Sequence, residues 1–546
     1  MSVVFGPRLG VGASPLRSGR RRLASLGPIG AGVLGGAALL AATGASAAGG
    51  DARFDINAID VDGNTLLDEA ALERAIYAHM GPGRTREDVA AAQKDLQEAY
   101  RAHGYQSVIV ELPRQTVEGG VVRLHVVEAS VGRLRVVGEK FHSPEVLQAQ
   151  IPALAEGAVP DFNAAQAQIT ESNRLPDRQA TPIVKAGEVP GTVDVDLQVA
   201  DQEPVHGSLE LNNDRSAFTT PLRLTANLRY DNLFQTGQSL SFTYAVAPER
   251  TADTQVFAGS YVIPLWRTPF SLLLYGFQSD SNLATLGGVD VLGPGHTIGA
   301  RGIYQFPALG PISQSLSFGL DYKDFREVDT LATSQVTGGG VAYWPLNATY
   351  TLRQQTGSTS TLTVGVTANL RGVGSGDAGF QFKRAEARAD FIHLNVDIDH
   401  TQPLWGGFQA NARFSAQVAD SPLVSSEQFA AGGLSSVRGY LTAEAVGDDG
   451  VFGSLEIRTP PLFASARTWL DELRLFTFVD GSHLWVIKPQ AEQTSAFGLY
   501  STGVGARVRL LDHLTGDLDV AVPLKDGPNR AADGHIYTTF SLKSDF

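Results

Sequence analysis

The chain contains no cysteine, which excludes a disulfide framework and thiolate chemistry and leaves nothing for the oxidants of an exported compartment to act on. Beyond its first 47 residues there is no apolar run of about 18 residues or more, so no segment qualifies as a membrane-crossing helix. Positive charge is in deficit: 43 Lys and Arg stand against 57 Asp and Glu, a net −14. That balance argues against nucleic acid as a partner, because phosphate neutralisation needs basic patches. H-E-x-x-H, G-x-S-x-G and Walker A sequences are also missing. The expectation is a conduit, not an enzyme, with no cofactor and no metal.

Residues 1–47 stand apart from the rest. They hold Arg8, Arg17, Arg20, Arg21 and Arg22, no acidic residue, an apolar stretch over 23–42, and Ala45-Ser46-Ala47. A charged start, an apolar middle and small residues at a cleavage site make a secretory signal peptide. An exported chain without a membrane helix is either soluble or a β-barrel, and periodicity separates the two.

From about residue 205 to 546 apolar and polar residues alternate between Gly, Asp, Asn and Pro. Over 221–230, Leu222, Leu224, Ala226, Leu228 and Tyr230 face one way, and Arg223, Thr225, Asn227 and Arg229 the other. Leu362, Val364, Val366, Ala368 and Leu370 oppose Thr361, Thr363, Thr367, Asn369 and Arg371 in the same manner. Each such segment is a strand with one oily and one wet side. A soluble sandwich alternates too. Segments near ten residues, aromatic ends, and a last segment with Ile536, Thr538, Phe540, Leu542, Ser544 and Phe546 on one face favour a transmembrane antiparallel β-barrel. The length available fits about 16 strands at roughly 20 residues per strand and loop.

Two small α/β modules precede it, expected at 54–129 and 130–204. In the first, Leu72, Ile76 and Met80 mark a helix over 68–80. Thr85 and Asp88 cap a second helix through Val89, Ala92, Leu96 and Tyr100 that stops near Gly104. Strands over 107–112 and Val121–Val127 follow, so the order reads β-α-α-β-β. The second repeats the scheme more loosely: a strand at Leu134 and Val136, a helix start at Ser143-Pro144, a helix over 162–175, and a strand carrying Val193, Val195, Leu197 and Val199.

Three near-motifs carry little. Asp60, Asp62 and Asn64 open like a calcium loop, but the glycine is Gly63 and the twelfth residue is Ala71. Gly374, Gly376 and Gly379 spell G-x-G-x-x-G in what reads as a hairpin with no helix after it. His393, Asp397 and Asp399 share a strand face, as lumen-lining residues would.

Two modules before a barrel resemble the outer-membrane component of two-partner secretion, the hemolysin secretion/activation and filamentous-hemagglutinin transporter family within the Omp85 superfamily. The resemblance covers essentially all of the chain after the leader. It rests on Val61-Asp62-Gly63-Asn64-Thr65-Leu66, on Asn212-Asn213 in the first barrel strand, on Tyr230-Asp231-Asn232-Leu233 with Gly237, and above all on Val437-Arg438-Gly439-Tyr440 within the Gly-rich stretch Phe429-Ala430-Ala431-Gly432-Gly433-Leu434-Ser435-Ser436. The last matches the family's VRGY signature, at the tip of a long extracellular loop that folds back into the lumen. Phe478 and Asp480 match F-x-D-x-G on a barrel strand, although the glycine comes at Gly481, one residue early. The resemblance implies POTRA-like periplasmic domains, a barrel in the outer membrane, and contact between Arg438 and Asp480 inside it. It further implies a large adhesin-like or hemolysin-like exoprotein, unfolded in the periplasm, as partner. Outer-membrane lipids and the barrel-assembly machinery would be the others. Many members carry a plugging helix before the first module. Only a few residues separate Ala47 from Phe54, so the expectation is a pore closed by the long loop alone. Two rival functions keep the same architecture: a barrel-assembly insertase and a passive porin.

Overall fold

The computed structural model describes residues 53–546 except 176, 281–282, 287–288, 293, 326–327, 332–333, 338–339, 464–468 and 533. The expected leader and its Ala45-Ser46-Ala47 site lie outside the described residues. The chain divides into two compact units, one ending at Glu203 and one running from Pro204 to Phe546.

The amino-terminal unit holds two α/β modules with separate cores. In the first, Ala58–Asp62 runs parallel to Val121–Val127, which pairs antiparallel with Ile109–Glu111. Helix Glu69–Ile76 starts at Asp68, whose carboxylate accepts from the Ala71 amide at 2.7 Å. Helix Arg86–Ala102 starts at the Thr85/Asp88 capping box and buries Val89, Ala92, Leu96 and Tyr100 on one face. Asn64 closes the turn before the first helix: its side chain accepts from the Leu67 amide at 3.0 Å and donates to the Leu67 carbonyl at 2.9 Å. The order differs from the expected one by two short strands, Phe54–Ile56 and Gly81–Arg84, which pair with each other. Gly-Pro-Gly-Arg has no strand propensity, so nothing local announces the second of them.

In the second module Ser130–Val137 lies parallel to Thr192–Asp201, and Arg178–Ala186 antiparallel to it. Ser143 caps helix Pro144–Gln150 and Asp161 caps helix Phe162–Ser172. The strand Arg178–Ala186 was not foreseen. It is an edge strand, half exposed, with Pro182 inside it, and therefore lacks clean alternation. Asp201 ties the chain before the first helix. It accepts from the amides of Lys140 (2.7 Å), Phe141 (2.7 Å) and His142 (3.0 Å), and its other oxygen lies 2.7 Å from the His142 ring. Burial pushes this carboxyl up, but the four hydrogen bonds outweigh it and hold the pKa at about 2. A carboxyl lowered on folding stabilises the module above its unfolded pKa near 4, and that contribution is lost as pH falls from there through 2. At pH 7 it is worth about 2 kcal/mol. Asp201→Asn is therefore expected to quicken hydrogen exchange across residues 130–201 in the detergent-solubilised protein; unchanged protection would show that the charge contributes nothing.

In the second unit sixteen antiparallel strands, from Val205–Asn212 to Tyr537–Asp545, close into a barrel. Large apolar side chains point outward and are exposed on strands around the barrel, among them Leu228, Phe242, Phe257, Ile298, Phe318, Val418, Leu455, Val479 and Val504. Asp321, Thr349, Thr367, Asn411, Gln417, Glu456, Asp480 and Asp519 are buried inside. A soluble sandwich would invert this arrangement; an apolar belt around a polar interior is a barrel in lipid. Aromatic contacts mark both rims, Phe270 to Tyr304 (5.0 Å) and on to Phe306 (4.8 Å) at one, Tyr322 to Trp344 (4.9 Å) at the other. Among the described residues no helix is long and apolar enough to cross a membrane.

Closure joins Ser541 to Asn212 and continues to Asp545 and Ser208. Asn213 lies one residue past the first strand, not within it. Its side chain prolongs the joint by accepting from the Phe540 amide at 2.8 Å and donating to the Thr538 carbonyl at 3.1 Å. At the other end Phe546 and Gly207 exchange backbone hydrogen bonds of 2.7 and 2.9 Å. The glycine-rich 374–379 segment also departs from expectation, because a helix, Asp377–Lys383, does follow it. That helix packs Phe380 against Tyr343 and Phe391, at 5.4 and 6.0 Å. It connects antiparallel neighbours in the barrel, so no βαβ unit and no dinucleotide geometry arises.

Candidate functional site

Residues 420–448 connect strand Gln409–Ala419 to strand Asp449–Arg458. Most of this long loop is buried, with Leu423, Val424, Ala431, Val437 and Tyr440 nearly inaccessible. Its two limbs pair briefly as Phe429–Ala431 with Ala445–Gly447. Asp448 gathers the base of the loop. It accepts from the Leu423 amide (2.9 Å), the Gln428 side chain (3.0 Å) and the Ile487 amide (2.7 Å). The loop is therefore folded against the inner wall of the barrel.

Each residue of Val437-Arg438-Gly439-Tyr440 has a separate physical task. Val437 packs with Phe429, Phe452, Leu484 and Leu499. Gly439 has φ +91, a left-handed backbone that a side chain disfavours, and a Cβ there would sit 3.0 Å from that of Ala521. The Tyr440 hydroxyl lies 2.5 Å from the Lys525 carbonyl oxygen and accepts from the Tyr500 amide at 3.3 Å. Arg438 is the centre. Its Nε and Nη2 donate to the two oxygens of Asp480 at 2.8 and 3.0 Å, a bidentate pair, and its backbone amide donates to the same carboxylate at 3.1 Å. Nη1 reaches Glu456 at 2.6 Å and Asp519 at 3.3 Å. The guanidinium lies 3.5 Å from the centroid of the Phe478 ring. A planar, permanently charged group that is 5% exposed thus meets three carboxylates and an aromatic face. These are the partners a buried guanidinium requires.

Phe478 and Asp480 sit on strand Leu470–Trp485 and point inward, whereas Val479 points out. The early glycine does no damage. Gly481 pairs opposite Gly453 and Tyr500 with no shift of register around it. Room for the Phe478 ring comes from Gly503 on the next strand, where a Cβ would fall 2.5 Å from the ring.

The structure adds residues that sequence reasoning missed. Glu456 and Asp519 complete the arginine's cage. Asp214, just past Asn212-Asn213, accepts from Thr442 Oγ1 at 2.8 Å and from the Leu434 amide at 3.3 Å. Glu444 accepts from the Arg530 amide at 2.9 Å. Alternation assigns a side chain to the inner or outer face of its strand, but it does not say which inner acids meet the loop. His393, Asp397 and Asp399 do not converge. His393 lies 3.2 Å from Glu427, and Asp399 accepts from Asn411 at 2.9 Å.

Comparison with known proteins matches these features. The family model described as haemolysin secretion/activation protein ShlB/FhaC/HecB covers residues 191–508, and the ShlB-type POTRA domain model covers residues 54–129. The outer membrane transporter CdiB of Dickeya dadantii is 22% identical over 479 residues, 83% of this chain and 80% of that protein. The heme/hemopexin transporter protein HuxB of Haemophilus influenzae is 22% identical over 405 residues, 69% and 67% of the two chains. Among solved structures, CdiB from Escherichia coli superimposes with a TM-score of 0.62 at 20% identity, covering 92% of this chain and 93% of that one. BamA from Haemophilus ducreyi lacking POTRA domains 1–3 gives 0.52 at 15% identity, covering 91% and 100%. Both structural likenesses speak to fold alone, but the family model spans more than half of the chain. The protein belongs to the ShlB/FhaC/HecB family: it is a two-partner secretion transporter of the Omp85 superfamily, a barrel of the outer membrane with its amino-terminal domains in the periplasm.

Proposed function

We propose that this transporter receives an exported exoprotein while it is unfolded, engages it with the periplasmic modules, and passes it through the lumen to the cell surface without ATP. The observation that carries the reading is the Arg438 tip held inside the barrel by Glu456, Asp480 and Asp519. It obstructs the lumen through side-chain contacts, which can be remade after each passage. The chain divides in this reading into a leader over 1–47, modules over 54–129 and 130–204, and the barrel over 205–546.

Capture would use strand edges. In the second module Arg178–Ala186 lies at the edge of its sheet with Val184 exposed, and in the first Ile109 is exposed on the edge strand Ile109–Glu111. Such edges offer unpaired backbone groups to an extended segment, and alternate side chains give selectivity. The periplasm holds no ATP, so net movement draws on folding of the cargo outside the cell. A large adhesin-like or hemolysin-like exoprotein is the partner this implies, with outer-membrane lipids around the barrel and the barrel-assembly machinery inserting it.

Proteoliposomes of the mature chain, given its cognate exoprotein in unfolded form and no nucleotide, are expected to translocate it into a protease-protected space. Prefolding the exoprotein should stop transport. Transport that demands ATP, or insertion of other barrels with no transport of a soluble partner, would overturn the proposal.

A further inference from the structure

Arg438 is not the loop's sole ionic attachment to the wall. Glu427 closes the 3-10 turn Ser425–Glu427 on the limb that descends from the preceding strand, and it is fully buried. One of its oxygens accepts from Lys323 Nζ at 2.6 Å and from the Tyr343 hydroxyl at 2.5 Å. The other lies 3.2 Å from His393 Nε2. The neighbouring Ser426 Oγ is 2.8 Å from the same Tyr343 hydroxyl, and Gln417 donates to the Glu427 carbonyl at 3.0 Å.

The two attachments use different parts of the barrel. Lys323, Tyr343 and His393 belong to strands Ile312–Phe325, Val341–Thr356 and Ile392–Pro403, the seventh, eighth and tenth in barrel order. Glu456, Asp480 and Asp519 belong to Asp449–Arg458, Leu470–Trp485 and Leu514–Pro523, the twelfth, thirteenth and fifteenth. No residue and no strand is common to both sets. The loop is pinned at Glu427 and again at Arg438, and the chain between these points is drawn from one sector of the lumen to another.

We infer that Glu427 is a second, independent positioning anchor, held by Lys323, and that release of the Arg438 tip leaves the loop tethered in the barrel. This rests on the reading of Arg438 as the hold that cargo displaces. On release the tip turns about Glu427 as a hinge post, and the loop stays where it can re-dock. Two holds in parallel give a specific signature. Breaking either leaves the other intact, so the effect of breaking both exceeds the combined effect of breaking each.

The test uses the full chain in planar lipid bilayers, with Lys323→Met, Arg438→Ala and the double variant. Each single variant is expected to stay mostly closed, while the double variant spends roughly tenfold more time open than either, a coupling of the size that contacting or jointly acting residues show. Lys323→Arg, which keeps the charge, should behave as wild type even when joined to Arg438→Ala, remaining as closed as Arg438→Ala alone. Because the chain has no cysteine, Ser435→Cys gives an unambiguous reporter: an impermeant maleimide on intact cells should label it strongly in the double variant only. Retained heat-modifiable mobility in electrophoresis shows that the barrel is folded, and Glu427→Gln substitutes for Lys323→Met if that protein fails to reach the membrane. A double variant no more open than Arg438→Ala, or Lys323→Arg no better than Lys323→Met, would overturn the inference. Failure of the Arg438 reading would look different: undiminished secretion by Arg438→Ala, whatever the Lys323 variants do.

Discussion

Replacing Arg438 by alanine is expected to abolish secretion while leaving a folded barrel in the outer membrane. Among the described residues Arg438 alone pairs with Glu456, Asp480 and Asp519 together, so its loss leaves three carboxylates close to one another in a confined space, with Arg458 still 2.6 Å from Glu456. Loss of one partner of a buried pair costs about 3–5 kcal/mol, which lowers the equilibrium constant for docking of the tip by roughly a hundredfold or more, so the tip no longer returns reliably to the position from which each passage starts. The barrel itself survives because its sixteen-strand ladder does not pass through the loop. Secretion of the cognate exoprotein should fall to background, with surface-exposed barrel levels unchanged. Wild-type secretion by this variant would remove Arg438 from the mechanism.

Exchanging the two charges, Arg438→Asp with Asp480→Arg, is expected not to restore secretion. A simple pair would tolerate the swap; this arginine is shared. An aspartate at 438 would still face Glu456 and Asp519, and the loop amide that now donates to the Asp480 carboxylate would face a guanidinium, which cannot accept from it. Asp480→Asn should be milder than Arg438→Ala, since Glu456 and Asp519 continue to hold the guanidinium. Measured as the open probability of the barrel in planar bilayers, Arg438→Ala and Asp480→Asn should be non-additive by about 0.5–3 kcal/mol in a double-mutant cycle. Strict additivity, or full rescue by the swap, would refute the shared cage.

Much of this is legible in the sequence. Alternation in segments such as 221–230 and 361–371 identified the barrel because the pleat writes its two faces into every second residue. Arg438 and Asp480 were legible through motifs, each a short run of neighbours in the chain. Glu456 and Asp519 were not, because their relation to Arg438 spans 18 and 81 residues and depends on how the strands stagger around the cylinder. Before folding they resemble Asp321 or Asp399, which serve other partners. The strand Arg178–Ala186 was hidden for a different reason: an edge strand exposes both faces in part, so burial does not select a clean pattern. Helix Asp377–Lys383 was hidden by its brevity, since a single apolar anchor, Phe380, decides where it lies.

The tie between Asp214 and the loop has a kinetic consequence. Thr442 is 228 residues away from Asp214 in the chain, and Leu434 is 220 away. Contacts of such high order form late, because a long stretch of polymer must be confined before they yield any return. Asp214 follows the first strand, and the Glu444 contact at Arg530 precedes the last, so the tip gains both neighbours only when the two ends of the sheet have come round to meet. Final docking of the tip therefore coincides with completion of the cylinder, and a newly inserted molecule reaches its guarded state in the same slow phase in which it acquires its final shape.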